Sequence, residues 1–447
     1  MESVSPKVFE RRRARLMDEI GDQSLAIVVG PPPRNRSHDT DYPYRPSSDV
    51  LYLTGFREPR AVVVLAPGHD DGEFVMFTPD RDRQAEQWEG RRAGPEGAIE
   101  QYGADAAFGL SELEEQLPNW LAGRKQLYYT LGSDENFDGQ ILDWMQTLRH
   151  RRHGVATMPG VVVDLRDLIY TARLTKSDEE LRLLRRASKI SSQAHILAMK
   201  YCRPGIYEYE LQALVEYHFR RSGAEGPAYN TIVGAGDNAT ILHYTDNRSE
   251  IGPDDVVLID GGCEYQFYAG DITRSFPASG SFTPAQRDIY QAVLQVQKAA
   301  IDDVRPGFTY EQLRQNTRTR LTEAMIDLGL LEGSVDQLME DEAYRDYYPH
   351  SIGHPLGIDV HDVGMFRTSE EESRVFCEGM VMTIEPGLYV PADDESAPEE
   401  MRGVGVRIED DVLITASGTE NLTADCPKEV TAVEDLVGSG ASEALEL

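Results

Sequence analysis

Val256-Val-Leu-Ile-Asp260-Gly-Gly-Cys-Glu-Tyr-Gln-Phe-Tyr-Ala-Gly-Asp271-Ile-Thr-Arg-Ser-Phe276 is the stretch on which the fold turns. An apolar run ends in Asp260, two glycines follow, and Asp271 comes eleven residues after the first aspartate. A strand, a turn and a returning strand would bring the two carboxylates together. Taken singly, an aspartate at a strand end is an ordinary turn or cap residue. Further along lies Pro349-His-Ser-Ile-Gly-His354-Pro-Leu-Gly-Ile-Asp-Val-His361-Asp, with three of the chain's 10 histidines within twelve residues. Histidine both binds metal and titrates near neutrality, and three set among glycines point to function. Next comes Met380-Val-Met-Thr-Ile-Glu385-Pro, an apolar strand stopped at a glutamate and blocked by proline. A glutamate ending a buried strand must be paired or ligated. Last is Gly403-Val-Gly-Val-Arg407-Ile-Glu409, read as the start of one strand through Thr415. Alternation puts Val404, Val406 and Ile408 on one face and Arg407 and Glu409 on the other, where the plain reading is a surface ion pair.

Around these segments the chain divides near Leu174. Before it, Ser24–Gly30, Val50–Leu53, Ala61–Pro67 and Glu73–Thr78 read as strands, and Ser111–Ala122 and Asp138–His150 as helices. Residues 1–174 therefore read as a smaller α/β domain without a dense set of catalytic residue types. Ser177-Asp-Glu-Glu180 is a capping box opening a helix through about Lys200. Leu181, Leu184, Ala187, Ser188, Ser191 and His195 give that helix a mixed apolar and polar face. Helices recur at Tyr207–Ser222, Pro284–Val304 and Tyr310–Leu328, among strands, so residues 175–434 read as an α+β domain. Residues 435–447 read as a frayed tail.

Composition narrows the function. The 447 residues are 40% hydrophobic and 8% aromatic, enough for packed cores. With 44 basic against 77 acidic residues the net charge is −33, which repels nucleic acid and anionic lipid. Seven lysines only, with arginine supplying the other basic charge, suit a saline host or reflect compositional drift. Four scattered cysteines show no CxxC spacing, and the compartment expected is the reducing cytoplasm. The apolar runs are strand-length, and Met1–Leu16 lacks the apolar core of a secretory signal.

Two aspartates, a histidine and two glutamates lie on or beside strands of one domain, and a carboxylate cluster of that size would repel itself unless cations neutralised it. Oxygen-rich ligation with one imidazole favours Mn²⁺, with Co²⁺, Fe²⁺ or Zn²⁺ as other candidates. Four carboxylates suffice to hold two divalent ions.

These five segments, in this order, resemble the dinuclear "pita-bread" metallopeptidases, a family that includes methionine aminopeptidase, prolidase and aminopeptidase P. Tyr42-Pro-Tyr-Arg-Pro-Ser-Ser-Asp-Val-Leu-Tyr-Leu-Thr-Gly-Phe56, Ala61-Val-Val-Val-Leu65, Tyr229-Asn-Thr-Ile-Val-Gly and Ile241-Leu-His243-Tyr-Thr are similar to the aminopeptidase P branch. The resemblance spans nearly the whole chain. It implies a pita-bread catalytic domain behind an aminopeptidase P-type N-terminal domain, and release of the first residue from peptides with proline second. It further implies that Asp260 binds one metal, that Asp271 and Glu409 bridge two, and that His354 and Glu385 complete the other. Glu385 would also shuttle a proton. His243 and His361 would flank the substrate, His350 and Arg407 would shape the downstream subsites, and Tyr229 and Tyr389 would support the cleft. Relatives form tetramers, so a homo-oligomer (dimer or tetramer) is expected, with Trp88 as the candidate contributed by a neighbouring subunit. A buried or interface tryptophan is the plainer reading of Trp88. Two departures stand out: Pro355 where the family more often has a bulkier or less rigid residue, and Gly261 where alanine is common. The nearest rival is a prolidase acting on Xaa-Pro dipeptides, with promiscuous organophosphate hydrolysis. A metal-free creatinase-type hydrolase would lack these ligands, and a non-catalytic binding module on this fold would have lost some of them.

Overall fold

Ser24–Val29 (β1), Val62–Leu65 (β2), Phe74–Thr78 (β3), Ala106–Gly109 (β4), Gln126–Tyr128 (β5) and Val161–Val163 (β6) are short and mostly apolar. They form one mixed sheet in the order β4-β3-β2-β1-β5-β6. Strands β1 to β3 are apolar without alternation because both their faces are buried. Leu25, Ile27, Val62, Val64, Val75 and Phe77 pack against Leu117, Trp120, Phe137, Ile141 and Trp144 of two helices, Leu113–Leu121 and Glu135–Arg149. The computed structural model describes residues 3–150, 158–364, 366–367 and 372–440. Its chain divides into two compact units, Val4–Ala172 and a larger one from Arg173 onward. Among the described residues, no helix is long and apolar enough to cross a membrane.

Three sequence expectations are corrected. Val50–Leu53 lies in a helix, Ser48–Thr54, closed by Gly55 in the left-handed conformation at φ 71°. A four-residue apolar run fits either period, and the glycine stop decides for helix. Residues 404–415 form two strands, not one. Asp435 and Leu436, expected in the tail, belong to a helix, Val430–Leu436, and beyond it Gly438 N donates to Met199 O at 3.0 Å and Gly440 N to Lys200 O at 2.9 Å, so the chain there is held. The end of the expected tail, 441–447, lies outside the described residues.

The larger unit opens with helix Asp178–Tyr201 (α1), then Glu208–Arg221 (α2). Ser177 and Glu180 form the capping box, with Ser177 N donating to Glu180 Oε2 at 2.8 Å. Ile232–Ala235 (β7), Val256–Asp260 (β8) and Thr273–Pro277 (β9) make an antiparallel sheet in that order, with Asp260 opposite Thr273. After the helices Pro284–Asp303 and Tyr310–Asp327 come Val381–Ile384 (β10), Gly387–Val390 (β11), Val404–Arg407 (β12), Asp410–Thr415 (β13) and Gly418–Asn421 (β14). Here β13 lies between β10 and β14, while β12 pairs with β11.

The mixed face of α1 is explained by what it grips. Ser188 Oγ lies 2.7 Å from Asp411 Oδ2, Ser191 Oγ accepts from Cys263 N at 3.0 Å, and His195 Nε2 lies 2.9 Å from Gly261 O. Positions three and four apart share a helix face, so this stripe clasps the turn between Asp260 and Asp271. The turn needs glycine where backbones pass: a Cβ at Gly262 would collide with the Gly270 carbonyl. Gly262→Ala should cost about 2 kcal/mol and lower the melting temperature of the larger unit by several degrees in scanning calorimetry. An unchanged melt would show that this turn has slack.

Candidate metal centre

Asp260 ends β8, and Asp271 sits just before β9, which returns alongside it. Tyr229 Oη bridges the pair, 2.5 Å from an oxygen of each. A phenol has one proton, so the hydroxyl can donate to only one carboxylate at a time. Glu385 follows β10, and its N–H donates to Ile352 O at 2.8 Å. Glu409 falls in the break between β12 and β13, where its N–H donates to Thr273 O at 3.1 Å. That anchor ends the β12 ladder and turns Glu409 inward. Arg407 and Glu409 are buried, 4% and 2% exposed, so the surface ion pair is corrected. Arg407 instead donates to Asp260 Oδ2 at 2.7 Å and to Tyr389 Oη at 3.0 Å.

His354 places Nε2 3.3 Å from Asp271 and 3.6 Å from Glu385, while its Nδ1 lies 3.0 Å from Pro355 O. A proton on Nδ1, shared with that carbonyl, leaves the Nε2 lone pair for a cation. Ligand atoms of Asp271, His354 and Glu409 lie within 4.8 Å of one another. Three acceptors converging without a basic side chain between them fit a divalent ion. Asp260 and Glu385 flank this group.

The cavity above them measures about 410 Å³ and is lined by Tyr229, Asp260, Asp271, His354, Glu385 and Glu409. His243, His350, His361 and Arg407 also line it. Tyr389 stands behind, 2.8 Å from His350 Nε2. Trp88 is on a helix of the smaller unit and is 85% exposed, which overturns the burial half of the plainer reading and leaves its interface half. Sequence reasoning missed Thr273, whose hydroxyl donates to Glu409 at 2.7 Å, and Thr383, whose Oγ1 accepts from His354 N at 3.1 Å. Each stands two residues from a carboxylate picked out by sequence, the spacing that shares a strand face. The apolar wall of Ile232, Leu242 and Val360 gave no signal in sequence.

Crowding shows in the proton affinities. Burial, then Asp271, Glu385 and Asp260, push Glu409 well above the carboxylate range. Burial raises Glu385 to about 7, with His354 and Arg407 opposing. Burial alone would lower His354, but Asp271 and Glu385 outweigh it and lift the imidazole to about 9. Burial and then Arg407 drop His350 to about 3.

Comparison with known proteins places this arrangement. The model of metallopeptidase family M24 matches residues 182–416, and that of the aminopeptidase P N-terminal domain matches residues 9–129. The chain belongs to metallopeptidase family M24. It is 43% identical over 438 residues to the Xaa-Pro aminopeptidase of Escherichia coli K12, covering 98% of this chain and 99% of that one. It is 35% identical over 454 residues to human Xaa-Pro aminopeptidase 3, covering 97% and 86%. The aminopeptidase PepP of Pseudomonas aeruginosa superposes with a TM-score of 0.97 at 45% identity, covering 99% of this chain and 100% of that one. The zinc-substituted E. coli aminopeptidase P in complex with product gives 0.94 at 42% identity, again covering 99% and 100%. The α+β architecture is thus that of this branch of M24, a pita-bread domain behind an aminopeptidase P-type N-terminal domain. As a member of M24 the chain is a metal-dependent hydrolase.

Without metal, Glu385 and His354 both hold protons more tightly than in the unfolded chain. Stability from those protons is present at low pH and lost as pH rises, from 4.5 to about 7 for Glu385 and from 6.5 to about 9 for His354. A divalent ion competes for the same lone pairs. Added Mn²⁺ should therefore raise the melting temperature more at about pH 8 than at about pH 5.5. Equal shifts at both, by differential scanning fluorimetry, would contradict the repulsion.

Proposed function

We propose that this chain is an Xaa-Pro aminopeptidase, releasing the first residue from peptides with proline in second position. The observation that carries the reading is one pocket joining Asp260, Asp271, His354, Glu385 and Glu409 to a wall of His350, Arg407 and His361. Relatives bearing that activity's name match along nearly the whole chain. Asp260, Asp271, His354, Glu385 and Glu409 would hold two divalent ions, Mn²⁺ first among candidates. Such ions supply Lewis acidity and acidify water toward neutral pH.

The remaining chemistry falls to side chains. An Xaa-Pro bond is a tertiary amide without an N–H, and the ring fixes φ, so general peptidases that use that donor do poorly on it. Glu385, which lines the cavity beside Asp271 and His354, is our candidate to take a proton and return it to the leaving prolyl nitrogen. His361 and His243 face the cavity as donors to the developing oxyanion, a contribution of about 3–4 kcal/mol per donor. Asp260, which lines the cavity, is our candidate to meet the substrate's free amine. His350, Arg407, Tyr229 and Tyr389 would shape the subsites that seat proline and the residue after it. The domain assignment is an N-terminal domain over residues 1–174 and a catalytic domain from residue 175 onward. A homo-oligomer in which Trp88 reaches a neighbour's cleft, and a cytoplasmic setting, complete the reading.

Asp271→Ala and Glu409→Ala should each abolish hydrolysis of an Xaa-Pro-Yaa tripeptide and lower metal content by elemental analysis. His361→Ala should keep its metal but lose about 10²–10³ in kcat. Near-normal turnover in either carboxylate variant, or cleavage of Xaa-Pro dipeptides with tripeptides untouched, would overturn the proposal.

A further inference from the structure

His361 has an exposed side chain, its ring 4.2 Å from the ring of His354. It makes no side-chain hydrogen bond to another described residue. Its place is therefore set by its backbone, and the loop that carries it is held differently at its two ends. At the His354 end the loop is clipped to β10. Thr383 N donates to His354 O at 2.9 Å and Leu356 N to Val381 O at 3.0 Å.

At the His361 end the hold is ionic and buried. The Asp362 carboxylate takes Arg173 Nη2 at 2.6 Å and Lys176 Nζ at 3.2 Å, with the three side chains 1–2% exposed. Arg173 Nη2 also donates to Asp359 Oδ2 at 2.7 Å, four residues after Pro355. Asp362 N closes the loop onto Pro355 O at 2.9 Å. Gly357 packs so closely on the Asp362 carboxylate that a Cβ would collide with it. Lys176 is pinned in turn, its N–H donating to Gly379 O at 2.9 Å. Two cations face two carboxylates, so these four charges cancel. Buried ion clusters add little net stability over apolar packing, because desolvation offsets the attraction. What such a cluster does give is a fixed geometry, since breaking one partner leaves a buried charge unmatched.

We propose that Arg173, Lys176 and Asp362 form a positioning device for His361, holding loop 355–362 so that the imidazole faces the reacting carbonyl. The inference rests on the Xaa-Pro aminopeptidase reading, in which His361 touches substrate. It acts through His361 and leaves the His354 end, and so the metal site, to the β10 clip.

The test is a double-mutant cycle on the full-length, Mn²⁺-loaded protein with an Xaa-Pro-Yaa tripeptide. Asp362→Asn, which keeps the shape and removes the charge, should lower kcat about tenfold or more. KM should change much less, and metal content should stay at the parent value. In a His361→Ala background the same substitution should change kcat less than about twofold. Equal fold losses in both backgrounds, or loss of metal in Asp362→Asn, would overturn the proposal. If Asp362→Asn does not fold, Lys176→Gln carries the same cycle, and Lys176→Arg, which keeps the charge, should restore kcat. A parent inactive on the tripeptide is a separate result: it sinks the aminopeptidase reading and this inference with it.

Discussion

Mutual repulsion among Asp260, Asp271, Glu385 and Glu409 is the constraint that the larger unit is built to meet. Four carboxylates line one cavity, and an uncompensated buried ion costs several kcal/mol even after relaxation. Among the described residues, Arg407 answers Asp260, and His354 stands beside Asp271 and Glu385. The remaining charge is left for divalent ions, and the raised proton affinities of Glu385 and Glu409 measure what is left over. A site this costly without its ions is a site selected for holding them.

Behind the cavity, two neighbouring aspartates show how the backbone is held while the front stays unmatched. Asp410 and Asp411 point to opposite faces of β13. Asp410 meets Arg274 at 2.7 Å and Lys428 at 2.5 Å, both buried or nearly so, and these cations outweigh burial to hold its carboxyl well below the usual range. Arg274 also donates to the carbonyl of Glu409 at 2.6 Å, fixing the backbone of a candidate ligand. Among the described residues, Asp411 has no such cation. It accepts from the Asp271 amide at 3.2 Å beside Ser188, and burial pushes it well above the carboxylate range. A matched charge anchors the strand, and a buried carboxyl that favours its proton stands directly behind the ligands.

Much of the site was legible because charged residues at the ends of apolar strands are costly and so conspicuous. Glu385 stood out on that ground, Asp260 only together with Asp271, and the histidines by their clustering among glycines. Other features were visible but not decided by local pattern. A surface pair remained the plain alternative for Arg407 and Glu409 because alternation says which side of a strand a residue takes, not whether that side is buried. The run 404–415 looked continuous because nothing in its composition marks the Glu409 N–H reaching across to Thr273. Val50–Leu53 was too short for its period to decide. The polar stripe of α1 was noticed, yet its partners lie 66 to 223 residues away, beyond any local pattern.

By itself the sequence determined the elements, the two-part division and the residue types that a cation would need, because periodicity, caps and strand-end charges are local properties of the chain. Only the tertiary structure decided which acids share a cavity, that Arg407 answers Asp260, and that Asp362 is locked by Arg173 and Lys176. Those outcomes depend on distance through space, and electrostatic energy between buried groups is set by that distance and by the exclusion of water, neither of which is written in the order of residues.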